Sequence, residues 1–158
     1  PVVFVFVAQT FHAAGSLSLE EKRATYDIPR SGGFYSWEMN NEMQPVRWTA
    51  RDAWFCVPRQ VDHLDMSLCA PHPDAQEEPV VVEVFVDGSL ARTLLFTHPW
   101  EAHSLNLGLP PGLEKEIEVR LRVSRTMSPA RLSPRDLDTR ELGVLVEGWG
   151  FRVQQSGE

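Results

Sequence analysis

Apolar and polar residues alternate along most of the chain beyond residue 45, and this alternation predicts strands. From His63 to Cys69, Leu64, Met66 and Leu68 point one way, and Asp65, Ser67 and Cys69 the other. Val80 to Val86 is the strongest strand former, and Asp87-Gly88 is a hairpin signal that returns the chain through Leu90 to Phe96. Ser104 to Leu109 alternates and stops at Pro110-Pro111-Gly112. Glu116 to Ser124 alternates again, with Ile117, Val119, Leu121 and Val123 inward. Arg47-Trp48-Thr49 and Ala53 to Val57 read as a strand pair or one bent strand, and Leu142 to Phe151 as the last strand.

No long amphipathic helix interrupts this series. Strands separated by Gly/Pro turns predict an all-β fold, an antiparallel jelly-roll-like β-sandwich. Its expected core is Trp54 or Phe55, Leu64, Met66, Leu68, Val82, Val84, Val86, Leu95, Leu105, Leu107, Ile117, Val119, Leu121, Val144 and Val146. Residues 20–45 read as irregular, because Pro29 and Ser31-Gly32-Gly33 break any regular element.

The ends divide the chain into residues 1–32 and a sandwich domain at 33–158. The run from Pro1 to Ala14 is apolar and reads either as a strand or as the stub of a membrane helix. It lacks the basic leader of a signal peptide. A chain opening on Pro1 is expected to be a piece of a larger protein.

Composition narrows the function classes. The 158 residues fit one domain with a real core. Fifteen basic against 22 acidic residues give a net charge of −7, which argues against a nucleic-acid partner. Thirteen of the basic residues are Arg, and five Trp stand against two Tyr. Cys56 and Cys69 have no CxxC or Cys/His context, so a zinc site is not expected. They are expected in neighbouring strands, as a disulfide or as two buried thiols.

No phosphate loop, nucleophile elbow or HExxH motif is present, and no catalytic residue is assigned. The five His read as solvated loop residues. Glu77-Glu78 reads as a solvated loop pair. Three constellations remain. Gly33 to Glu38 with Val46 to Thr49 gathers Trp37, Glu38, Arg47 and Trp48, the mixture with which proteins hold sugars. Rings stack on sugar C–H faces, and charged groups bond the hydroxyls. The alternative use of these residues is core packing for the Trp and ion pairing for the Arg. Ser133 to Val144 runs a charged loop into a strand. In extended chain Asp138 and Arg140 share a side, either to lock the loop to the sheet or to join Glu38 and Arg47 in one polar site. A Ca²⁺ ion in such a loop is conceivable, but no dense acidic ligand string supports it. Thr97 to Glu101 places Trp100 in a loop as a candidate stacking platform.

These motifs, with Arg47-Trp48-Thr49 followed by Asp138-Thr139-Arg140-Glu141-Leu142-Gly143-Val144, come in an order that resembles a known group. It is that of the β-sandwich domains appended to bacterial membrane glycosyltransferases and related cell-envelope sugar enzymes. Such domains are similar to jelly-roll carbohydrate-binding modules. The resemblance covers residues 33–152. It implies an extracytoplasmic, non-catalytic glycan-binding or accessory domain without a cofactor, whose membrane contact lies in a flanking segment. Candidate ligand residues are Trp37, Glu38, Arg47, Trp48, Trp100, Asp138 and Arg140. The competing reading is a structural or protein–protein interaction sandwich.

Overall fold

The computed structural model describes the backbone of residues 2–6 and 30–154, and side chains from Arg30 to Gly148. Nine strands account for nearly all its regular structure. They are β1 (Val2–Phe6), β2 (Ser31–Met39), β3 (Pro45–Pro58), β4 (Val61–Ala70), β5 (Val80–Val86), β6 (Ser89–Phe96), β7 (Glu101–Gly108), β8 (Glu116–Val123) and β9 (Leu145–Gln154). A single helical turn, α1 (Pro129–Leu132), sits between β8 and β9.

All pairings are antiparallel, in the order β6-β5-β8-β3-β9-β4-β7, with β2 beside β3 and β1 beside β9. The end strands β6 and β7 approach one another, so the sheet folds back on itself as a sandwich. β3 makes the bend. Asp52–Pro58 pairs with β8 in one layer, whereas Arg47 and Trp48 pair with β9 in the other. It is therefore one bent strand rather than a pair.

Between the layers lies the main core, with Phe55, Leu64, Leu68, Val82, Ile117 and Val146 all fully buried. A smaller cluster occupies the opposite face of β3, β9 and β4. There Val46, Trp48, Cys69, Leu142 and Leu145 pack under Tyr35 and Met127. The connection between β8 and β9 crosses this face and is tied by a Met127–Leu142 bridge.

Several expectations are corrected. Residues 31–39 are a strand, not irregular chain. Two register shifts, between Gly32 and Phe34 and between Phe34 and Trp37, interrupt the alternation that would reveal it. Gly33 (φ 74°) permits the first, because a Cβ there would lie 2.0 Å from the Asp52 carbonyl oxygen. Leu95 is 51% exposed, since Leu94 and Phe96 take the inward positions. Phe55 fills the core, whereas Trp54 is half-buried on the outer face, its indole directly beneath Gly32. The final strand begins at Leu145 rather than Leu142. The cysteines are not on neighbouring strands, because β9 runs between β3 and β4. Both are free and buried. Burial pushes the Cys69 thiol up to about 11, with Glu147 acting in the same direction. The end of the N-terminal apolar run (residues 7–14) and the side chain of Trp149 lie outside the described residues.

Candidate functional site

The β2–β3 hairpin carries four of the candidate residues and sorts them to two faces. Trp37 pairs with Arg47, and Glu38 with Val46. Neighbours along a strand point to opposite sides. Arg47 also pairs with Val146 of the main core, whereas Val46 and Trp48 belong to the smaller cluster. Trp37 and Arg47 therefore share one face, and Glu38 and Trp48 the other. A single polar site uniting Glu38, Arg47, Asp138 and Arg140 does not form.

On the first face the Arg47 guanidinium lies 5.3 Å from the Trp37 ring centre and 5.2 Å from that of Phe34. Its Nε donates to the Tyr35 carbonyl at 2.7 Å, which fixes the planar group beneath the indole. Partial burial lowers the Arg47 pKa from its ordinary value. Trp37 stays 44% exposed, braced from one side, and Met39 and Met43 are exposed close by in the chain.

On the second face Arg140 binds both carboxylates. Its Nε donates to Asp138 at 2.9 Å, its Nη2 to the same carboxylate at 2.6 Å, and its Nη1 to Glu38. The Arg140 backbone N–H also donates to Asp138 at 3.0 Å. The guanidinium lies 5.2 Å from the Tyr35 ring centre, and the Tyr35 hydroxyl donates to the Glu141 carbonyl. Hydrogen bonds from Arg140 hold the Asp138 carboxyl below the usual carboxylate range. Asp138 first, then Glu38, raise the Arg140 pKa further above its already high value. These three charges thus lock the β8–β9 connection onto β2. Trp48, only 9% exposed, lies beneath that connection and offers a ligand almost no surface.

Thr49 explains why the two sequence motifs occur together. It is fully buried, its N–H donates to the Val144 carbonyl at 2.9 Å, and its Oγ1 accepts the Val144 N–H at 3.0 Å. Gly143 N–H donates to the Thr49 carbonyl at 2.7 Å. A Cβ at Gly143 would sit 2.5 Å from Thr49 Oγ1 and 2.6 Å from the Ala50 carbonyl oxygen. Arg47-Trp48-Thr49 and Leu142-Gly143-Val144 form one structural joint.

Trp100 lies apart, on the turn between β6 and β7. It is 65% exposed and has φ 62°, a conformation in which a bulky side chain is rare. Its surroundings are tied down. The Glu101 carboxylate accepts the Thr97 N–H at 2.7 Å and the His98 N–H at 3.1 Å, and lies 2.9 Å from His103 Nε2. These bonds, led by that from Thr97, hold the Glu101 carboxyl below its usual range. The Trp100 N–H donates to the Ala70 carbonyl at 3.1 Å. The His103 ring packs edge-on against buried Phe96.

The sequence reading missed Tyr35, although it lies within Gly33 to Glu38, because its use is split between carbonyl, ring and hydroxyl. It also placed His72 among solvated loop residues. His72 is fully buried. Among the described residues no group of three or more His, Cys, Asp or Glu converges as a metal site. An open cleft of about 660 Å³ is lined by Arg30, Cys56, Asp87 and Glu116 among others, and by none of the candidate residues.

No protein-family model matches the sequence, and no curated protein matches it. Solved structures align with it at low identity. One contains the CBM51-2 and INT domains of Clostridium perfringens ZmpB, at 15% identity over 74% of this chain and 25% of that one, with a TM-score of 0.43. The present chain thus spans about a quarter of that structure. Another is the CBM36-1 domain of a multidomain xylanase from the hindgut metagenome of Trinervitermes trinervoides, at 10% identity over 81% and 91%, TM-score 0.42. A third is the salicylyl-acyltransferase SsfX3 from a tetracycline biosynthetic pathway, at 15% identity over 82% and 39%, TM-score 0.43. Two of these contain carbohydrate-binding modules and one is an enzyme. Each of these TM-scores is below 0.5, so the alignments carry no function over to this chain.

Proposed function

We propose that this chain is a non-catalytic carbohydrate-binding module that stacks sugar faces on Trp100 and Trp37. The observation that carries the reading is Trp100. A large apolar ring is held in water, on strained backbone, by a turn whose polar groups are already occupied. Such strain costs on the order of 1–3 kcal/mol and concentrates at functional positions. An indole with only two side-chain torsions, carried on a fixed turn, presents a flat face to sugar C–H groups at little entropic cost. Trp37, stacked on Arg47, supplies a second platform, and the outer edge of Arg47 supplies donors for hydroxyls.

Glu38, Asp138 and Arg140 act through the fold in this reading, and Trp48 packs the joint beneath them. We place such a module outside the cytoplasm, as part of a larger cell-envelope protein. A titration against soluble envelope glycans tests the binding. Trp100→Ala should weaken it, and Trp37→Ala should weaken it less. No response to any glycan in the wild type would sink the reading.

A second reading has one observation in its favour. Met39 and Met43 lie exposed beside Trp37 in sequence, and adaptable Met-rich surfaces suit protein partners. In that case Met39→Ser and Met43→Ser would abolish partner binding while leaving Trp100→Ala without effect.

A further inference from the structure

The connection from β4 to β5, residues 71–79, is clamped from outside by a single side chain. Arg125, just beyond β8, donates from Nη1 and Nη2 to the two Asp74 oxygens at 3.0 and 2.8 Å. Its Nη2 also reaches the Glu78 carbonyl. Within the connection, the Glu77 and Glu78 N–H groups donate to the Asp74 carbonyl at 3.1 and 2.9 Å. Hydrogen bonding to Arg125 holds the Asp74 carboxyl below its usual range, so the clamp stays charged well into acid.

Beneath the clamp lies His72. It has no exposed surface, neither ring nitrogen makes a well-formed hydrogen bond although the Arg125 backbone lies close, and Arg125 Nε is buried and unpartnered as well. A neutral imidazole carries one donor and one acceptor, and each buried unpaired group costs on the order of 1–3 kcal/mol. An apolar side chain would fill the space without that cost. The charged groups facing the ring are Arg125, from beyond β8, and Asp74, from its own segment. Burial first, and the Arg125 charge second, lower the His72 pKa from its ordinary value, while Asp74 and a backbone contact with Arg125 act in the opposite direction. The segment begins where β4 ends. There Ala70 pairs with Glu101, and its carbonyl accepts the Trp100 N–H.

We propose that residues 71–79 are an acid-opened strap, and that His72 protonation releases both the strap and the Trp100 turn anchored at its root. Closed, the strap favours the neutral ring, because a charged one would sit against the Arg125 guanidinium without water. Opened, the ring takes a proton near its ordinary value of about 6.5. The open form therefore binds more protons below that value. Closure is fully stable above it and weakens as pH falls from there. The opening needs no ligand. Its consequence, release of bound sugar in acidified surroundings, rests on the glycan reading above.

Backbone amide exchange by NMR on the whole chain, near about pH 7.5 and about pH 5, tests this once corrected for intrinsic exchange. Protection of the Glu78 and Trp100 amides should fall about tenfold or more at the lower pH, while Val84 in β5 keeps its protection. The His72 ring, followed by its carbon resonances, should titrate over the same range. His72→Gln should remove the pH dependence. If that variant does not fold, coincidence of the wild-type ring titration with the loss of protection carries the test. Constant protection at both amides, an equal fall at Val84, or an unchanged pH dependence in His72→Gln would each overturn the proposal. A glycan titration at both pH values separates the two readings. No binding at either pH removes the glycan function and leaves the strap standing, whereas equal affinity at both removes the coupling.

Discussion

At the β2–β3 hairpin, Arg140 satisfies the carboxylates of Asp138 and Glu38, and Tyr35 packs against its guanidinium. At the β6–β7 turn, Glu101 satisfies two backbone N–H groups and sits against His103, and the ring beside it is left in water. Both regions read in sequence as aromatic residues mixed with charge, the pattern of a sugar site. They differ in what the charges hold in place. In the first they fasten a long connection over Trp48, so the aromatic ring ends up inside. In the second they fasten the turn itself, so the ring ends up outside. Composition alone does not separate a lock from a display. The partner of each charge does.

The sharpest way to break this comparison is at the joint. Trp48→Ala leaves a cavity under the β8–β9 connection and should cost about 3–5 kcal/mol, read from chemical denaturation. A loss under about 1 kcal/mol would mean that the ring is not packed as described. Thr49→Ala comes next. It leaves the Val144 N–H without its side-chain acceptor and should cost about 1–3 kcal/mol by the same measurement. Gly143→Ala should act similarly through overpacking. Arg140→Met should cost less, roughly 0.5–1 kcal/mol, because the ion pairs are partly exposed and screened. Its glycan affinity should stay near wild type, and a selective loss of affinity without loss of stability would return Arg140 to the binding surface. Trp100→Ala should have the smallest effect on stability, with a Tm near that of the wild type, because the exposed ring buries little surface and Ala keeps the Cβ that strains the turn. A large fall in its Tm would make Trp100 a structural residue.

Much of this fold was legible in the chain. The alternation of β7 and β8 predicted both strand and inward face, since each buries Leu, Ile or Val on one side, whereas β5 was legible as a strand from its run of Val. β2 was hidden because two bulges and a left-handed Gly33 destroy its period. Leu94-Leu95-Phe96 are consecutive apolar residues, so their pattern has no phase, and only the register with β5 puts Leu95 outward. The insertion of β9 between β3 and β4 is a long-range pairing that no local window contains, and it separates Cys56 from Cys69. The site was legible in part. Residue types singled out Trp37 and Trp100 as candidates, and with them Glu38, Trp48, Asp138 and Arg140, which the structure places in the joint. The faces they occupy follow from pairing register, and His72 escaped because a polar residue between two prolines resembles an exposed turn.

The most direct test of the account is an NMR titration of the indole N–H resonances, assigned by single Trp→Phe variants, with soluble envelope glycans. The account predicts concentration-dependent shifts at Trp100 and Trp37 and none at Trp48. Shifts centred on Trp48, or no shift at any indole across the glycan classes, would contradict it.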